Sequence, residues 1–243
     1  MTAARAPRFY IEARLREGST CALPDESAHH AVRVLRLRNG DEVTLFDGRG
    51  GEYAARIAAI ERSRVAIDVL GHRAIEREAP LRVTLVQAVS AGEKMDSTVR
   101  KAVELGVAEI QPVLATRSVA RPKGERAENR REHWQKVAIA ACEQCGRNRI
   151  PAVLPLVPLA DYRAGEGFKI LLSPLSELAL SKLSLKGEQF ILAAGPEAGF
   201  SPEEEAALAA QGFVPVKVGA RVLRTETAAL AAVAALNALR GDF

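Results

Sequence analysis

Three cysteines are too few for a disulfide framework, and two of them, Cys142 and Cys145, form a C-x-x-C at what reads as a helix end. A redox motif belongs between a strand and a helix start, and a zinc site needs four ligands; only Cys21 and scattered histidines remain, so no metal is expected. Aromatic residues make up 5% of the chain, with one tryptophan, which argues against a long groove of stacked bases. No apolar run reaches membrane-spanning length, and MTAARAPRFYIEAR lacks the apolar core of a signal peptide. The expectation is a soluble, cytoplasmic protein with no membrane contact. No G-x-G-x-x-G follows the first strand of the α/β region, residues 81–89, so a nicotinamide-dependent oxidoreductase is disfavoured.

What the 243 residues do contain is nearly half hydrophobic, enough for one large domain or two small ones. Net charge is only modestly positive, but between Arg117 and Arg149 nine basic residues face four acidic ones. That excess, with Arg outnumbering Lys, suits phosphate contacts. A solvated helix face would look the same.

Residues 1–75 read as a small β-rich domain. Strands are expected at 8–15, 42–46, 52–60 and 64–70, with a helix at 27–37 and a hairpin turn at Asp47-Gly48-Arg49-Gly50-Gly51. Short strands around tight turns imply a small barrel. Residues 71–80 read as a linker. Beyond them strand and helix patterns alternate: strands at 81–89, 109–114, 168–172, 190–194 and 214–218, helices at 95–105, 127–145 and 228–240. That alternation predicts an α/β domain with a mainly parallel sheet over residues 76–243. The last helix is apolar all round, so it should be buried in the core or against a second subunit.

The organising stretch is FILAAGPEAGFS, residues 190–201. A buried strand runs into a turn of chain breakers holding one acid. Ser201, Pro202 and Glu204 then give a capping box with Pro at the first helical position. A second stretch, GARVLRTET at 219–227, follows the next apolar strand. In open α/β sheets ligands bind at such strand ends, so the two loops read as rims of one pocket. Two ordinary turns are the plain alternative.

GPEAGFSPEE and GARVLRTETA resemble the signature loops of the SPOUT methyltransferases, and the match is nearest to the ribosomal small-subunit RNA methyltransferase E family. KMDSTVRKAVELGV (94–107), EQCGRNRIP (143–151) and RFY (8–10) match it too, so the resemblance spans nearly the whole chain. One position departs: the family usually has GPEGG, where this chain has Ala198.

The resemblance implies a SPOUT-type α/β fold whose C-terminal part forms a trefoil knot, behind a PUA-like β-barrel RNA-binding domain. It implies a homodimer, S-adenosylmethionine as cofactor, and methylation of N3 of one uridine, number 1498, in 16S ribosomal RNA, with the RNA expected within the small ribosomal subunit. Such a site must remove the N3 proton or stabilise the anion. Glu197, Arg224 and Glu226 are the catalytic candidates. Leu172, Ser173, Leu175, Ala193, Gly195, Pro196, Glu197, Gly199, Val218, Gly219, Leu223 and Thr225 are the cofactor-binding candidates. Arg8, Arg33, Arg36, Arg126, Arg130, Arg147, Asn148 and Arg149 are the RNA-binding candidates; Arg38 sits with the N-terminal group. The different-class alternative is an RNA-binding or ribosome-assembly factor with weakened catalysis.

Overall fold

The structure is a computed structural model that describes residues 6–62, 64–240 and 242–243. It divides into two compact units. One comprises Met1–Glu78 with Cys142–Ile150; the other comprises Ala79–Ala141 with Pro151–Phe243. The return of residues 142–150 to the N-terminal unit was not legible in the sequence.

In the first unit, strands β1 (Arg8–Tyr10), β2 (Thr20–Ala22), β3 (Glu42–Phe46), β4 (Glu52–Glu61) and β5 (Arg64–Arg73) form a five-stranded sheet in the order β1-β3-β4-β5-β2. β1 runs parallel to β3, and the other pairs are antiparallel. Period-two alternation sends Val65, Ile67 and Val69 into a core with Phe9, Val43, Leu45 and Ile57. The β3–β4 turn has positive φ at Gly48, Gly50 and Gly51, as a hairpin built on glycines requires. Two expectations change. The first strand stops at Tyr10, and the helix expected at 27–37 starts earlier, as α1 (Asp25–His29), and continues as a π-helical turn over His30–Val34. β2 was not foreseen: TCA is too short to show a period.

In the second unit, strands β6 (Arg82–Ala88), β7 (Glu109–Leu114), β8 (Ala152–Val153), β9 (Val157–Pro158), β10 (Phe168–Leu172), β11 (Gln189–Ala194) and β12 (Val214–Val216) form one parallel sheet. Its order is β12-β10-β11-β6-β7-β8, with β9 also on β7. The helices are α2 (Lys94–Glu104), α3 (Glu125–Cys145), α4 (Pro202–Ala210) and α5 (Thr225–Arg240). The central strands are buried on both faces, which is why their sequences are apolar runs rather than alternations. One face packs Val86, Val113, Leu171, Ile191 and Ala193 against Phe200, Leu208 and Phe213.

The apolar α5 finds cover within its own unit. It packs on α2, β6 and β11, burying Ala229, Ala232, Val233 and Leu236. Asn237 donates to the Leu105 carbonyl at the end of α2 (2.7 Å). Among the described residues no helix is long and apolar enough to cross a membrane.

Candidate functional site

Sheet direction changes between β6 and β11: β6 leads outward to β7, whereas β11 leads the other way to β12. Strand ends at such a switch point leave a crevice that connections do not cover. Here the ends of β10, β11 and β12 and the start of α5 line a cleft that is open to solvent.

Each wall follows from its local sequence. Beyond β10, the Ser173 N–H donates to the Val216 carbonyl (2.9 Å), which holds the first wall to the edge strand. Beyond β11, the Gly199 N–H closes a tight turn on the Pro196 carbonyl (2.8 Å). Gly195 is required by close approach: a Cβ there would lie 2.9 Å from the Phe200 nitrogen. The capping box forms as its spacing dictates. Ser201 Oγ accepts from the Glu204 N–H (3.3 Å) and Glu204 Oε2 from the Ser201 N–H (2.9 Å). The other Glu204 oxygen accepts from the Thr116 N–H (2.6 Å), and Arg117 Nη1 donates to the carbonyls of Ala198 (3.1 Å) and Phe200 (3.2 Å). The β7–α3 loop thus braces the turn from outside.

Thr225, the first residue of α5, ties the third wall to the second. Its hydroxyl donates to the Gly195 carbonyl and accepts from Gln87 Nε2 (3.2 Å) at the end of β6. Gln87 is fully buried, and its Oε1 has no partner among the described residues. Sequence reasoning missed Gln87. Its signal was a lone amide near the end of an otherwise apolar strand.

Glu197 lines the cleft but is not a free base. Its carboxylate accepts from Lys94 Nζ (3.0 Å) and the Ala91 N–H (3.4 Å). Partial burial pushes this carboxyl up, but hydrogen bonds from its own amide, Lys94 and Ala91 outweigh burial and hold it below the usual carboxylate range. Lys94 therefore acts on the site, where the sequence offered only a helix flank. Ala198, the departure from GPEGG, is exposed and has no positive φ, so its methyl strains nothing.

Of the cofactor-binding candidates, the structure brings Leu172, Ser173, Gly195, Pro196, Glu197, Gly199, Val218, Leu223 and Thr225 around this cleft. Three do not line it. Ala193 is wholly buried in the core, Leu175 is 90% exposed beyond the rim, and Gly219 lies outside the lining. Among the catalytic candidates, Arg224 is exposed and does not line the cleft. Glu226 does not line it either; it is half-buried, and its Oε2 is enclosed with no partner among the described residues. Phe200, Glu205, Lys217 and Arg221 also line the cleft and were not foreseen.

The RNA-binding candidates also separate. Arg33, Arg36, Arg126, Arg130 and Arg149 are exposed. Arg8, Arg147 and Asn148, by contrast, are buried and held internally. Arg8 pairs with Glu52 (2.6 Å) and donates to Asn148 Oδ1 (2.6 Å) and the Arg147 carbonyl (3.2 Å). Asn148, 0% exposed, donates to the Ile75 carbonyl (2.6 Å). Arg147 Nε donates to Glu78 (3.2 Å), and Arg77 bridges Glu52 (2.8 Å) and the Gly146 carbonyl (2.9 Å). A buried guanidinium needs such partners. In the C-x-x-C pair burial pushes the Cys142 thiol up to about 12, and no group of residues that could hold a metal ion is found among the described residues.

An RNA methyltransferase domain model matches residues 77–237, and an RNA methyltransferase PUA domain model matches residues 23–70. A ribosomal RNA small subunit methyltransferase E from Buchnera aphidicola is 32% identical over 242 residues, 98% of this chain and 96% of that one. The chain belongs to the ribosomal RNA small subunit methyltransferase E family. The family enzyme from Bacillus subtilis is 29% identical, covering 97% of this chain and 99% of its own. Two solved structures agree in fold. The family member from Neisseria gonorrhoeae, bound to S-adenosyl methionine, has a TM-score of 0.89 at 39% identity, covering 97% of this chain and 98% of that one. A Legionella pneumophila chain, in complex with the bound cofactor SAM, has a TM-score of 0.94 at 35% identity and the same coverage.

Proposed function

We propose that this protein uses S-adenosylmethionine to methylate N3 of a uridine, position 1498, in 16S ribosomal RNA of the small subunit. The observation that carries this is the cleft at the ends of β10, β11 and β12, in a chain whose relatives of the same fold are bound to that compound. The residues present fit it. A Cβ at Gly195 would collide with the loop backbone, whereas one at Gly199 would meet nothing within 4 Å, so the turn is tight yet open. Leu172, Val216, Val218 and Leu223 offer an apolar seat for an adenine, and Ser173, Gly195 and Thr225 supply polar atoms at the strand ends. When bound, the sulfonium supplies an already activated methyl group, so the protein's task is orientation and proton removal.

Within this reading Glu197 orients rather than accepts a proton, because Lys94 and Ala91 keep its charge occupied. Glu226, the residue after Thr225 on α5, is the proton acceptor from uridine N3: its enclosed oxygen has no partner among the described residues. Arg224, exposed beside it in sequence, holds the charge that develops on the pyrimidine oxygens. Arg33, Arg36, Arg126, Arg130 and Arg149 meet RNA phosphates. The protein works as a homodimer; the exposed apolar side chains of Leu175 and Val222 by the cleft support a partner surface there. The trefoil threading of the C-terminal segment is part of the same reading, and the return of β12 to the edge beside β10 before α5 crosses to β11 and β6 supports it.

The test is mass spectrometry of 16S ribosomal RNA from a deletion strain, complemented with this gene, together with calorimetry against S-adenosylmethionine. Loss and recovery of one methyl on uridine 1498, with cofactor binding, is expected. No cofactor binding would favour the assembly-factor alternative.

A further inference from the structure

Two arginines a hundred positions apart meet in the first unit. Arg49, in the β3–β4 turn, forms an isolated antiparallel bridge with Arg149. Residues paired in this way project their side chains to the same side, and like charges directly opposite destabilise a pair. The arrangement is nevertheless built in. Gly50 has φ +103, and a Cβ there would meet Glu76 Oε1 first and then Arg149 Nη2 (2.6 Å), so the glycine leaves room for both side chains. Behind Arg149, the buried Arg8–Glu52 pair and Asn148 fix the backbone of residues 147–148. Neutralisation is incomplete. Glu76 Oε2 lies 3.6 Å from Arg149 Nε, while Glu76 Oε1 is taken by the Gly51 N–H (2.7 Å). The Asp47 carboxylate accepts from the Arg49 N–H (3.2 Å), but among the described residues the Arg49 guanidinium has no ion pair, and the Arg149 side chain is 56% exposed.

We infer that Arg49 and Arg149 together form a preorganised site for one phosphodiester of the RNA backbone. This deepens the methyltransferase reading and rests on it for the identity of the RNA. Of the two guanidiniums only that of Arg149 faces a carboxylate at ion-pair distance, which leaves the exposed Arg49 guanidinium for the single negative charge of a backbone phosphodiester. The anion converts the like-charge clash into a shared clamp with two planar forks of donors. The PUA model ends at residue 70 and contains only Arg49. The site exists because residues 142–150 return to this unit.

The test compares the full-length parent with Arg49→Gln, Arg49→Lys and Arg149→Gln in filter binding to protein-free 16S ribosomal RNA across a KCl series. Each phosphate contact on a single strand contributes about 0.7 to the slope of log affinity against log salt, or roughly fivefold in affinity near 0.1 M. Each glutamine variant should flatten the slope by about that amount, while Arg49→Lys keeps it. A slope in Arg49→Gln equal to the parent's would overturn the site, and this side chain has no internal ion pair whose loss could disturb folding. Calorimetry with S-adenosylmethionine on the same samples reads the methyltransferase assignment separately. A parent that binds no cofactor would count against that assignment, and the salt slopes would still decide the arginine pair.

Discussion

Glu52 offers the sharpest test of the buried network behind residues 146–149. It is almost fully enclosed and receives hydrogen bonds from Arg8 and Arg77. Burial alone would raise its carboxyl, but the two guanidiniums overcome that and bring it from 4.5 down to about 2. A depressed folded-state value means the ionised form stabilises the native state. That stabilisation is complete above the unfolded value of 4.5 and is lost as pH falls from there towards 2. The difference corresponds to about 3 kcal/mol. Glu52→Gln removes this dependence and leaves two arginines facing a neutral amide, at a cost of roughly 3–5 kcal/mol near neutrality. Trp134 lies in the second unit, so its fluorescence would not report the change. Hydrogen exchange on peptides covering β3 and β5, followed from neutral to acid pH, reads the first unit directly. Other carboxylates titrate too, so the informative quantity is the difference between parent and variant. It should shrink by about 3 kcal/mol between pH 5 and 2. Parallel curves would refute the reasoning and mean that Glu52 is not held ionised by its arginines.

Four further outcomes bear on the cleft. Thr225→Val keeps the shape but strands the Gly195 carbonyl and Gln87 amide; cofactor KM should rise about tenfold or more, from a loss of roughly 1–3 kcal/mol, and Thr225→Ser should recover it. Equal KM values in parent and valine variant would remove the relay from cofactor binding. Gly195→Ala should displace the 195–200 turn, because its Cβ would sit 2.9 Å from the Phe200 nitrogen, and weaken cofactor binding in calorimetry without lowering the melting temperature of the first unit; unaltered binding would show that the turn can yield. Glu226→Gln should lower kcat for RNA methylation by about 10²–10⁴ at unchanged cofactor affinity, and Arg224→Ala should lower it with oligomeric state intact. Full turnover in either variant would exclude that residue from the chemistry.

Much of the fold was legible because it rests on local physics. Buried parallel strands read as apolar runs, so residues 168–172 were bounded as they fold, and the Ser201–Glu204 capping box formed because its geometry involves only neighbours along one turn. Short or atypical pieces were hidden: three residues of β2 carry no period, and the π-helical turn at His30–Val34 has a helical pattern.

For the site, the sequence by itself determined that glycine-rich turns follow buried strands and that one acid sits in the first of them. Only the tertiary structure decided which charges are spent internally. Glu197 depends on Lys94, and Thr225 on Gln87, at separations of more than a hundred residues. The same holds for GRNRIP. Its composition gives three polar side chains equal claim to RNA, yet Arg147 and Asn148 are buried against Glu78, Arg8 and Ile75 while Arg149 is left at the surface opposite Arg49. Burial and pairing depend on what the chain folds against, and no spacing within a motif encodes that.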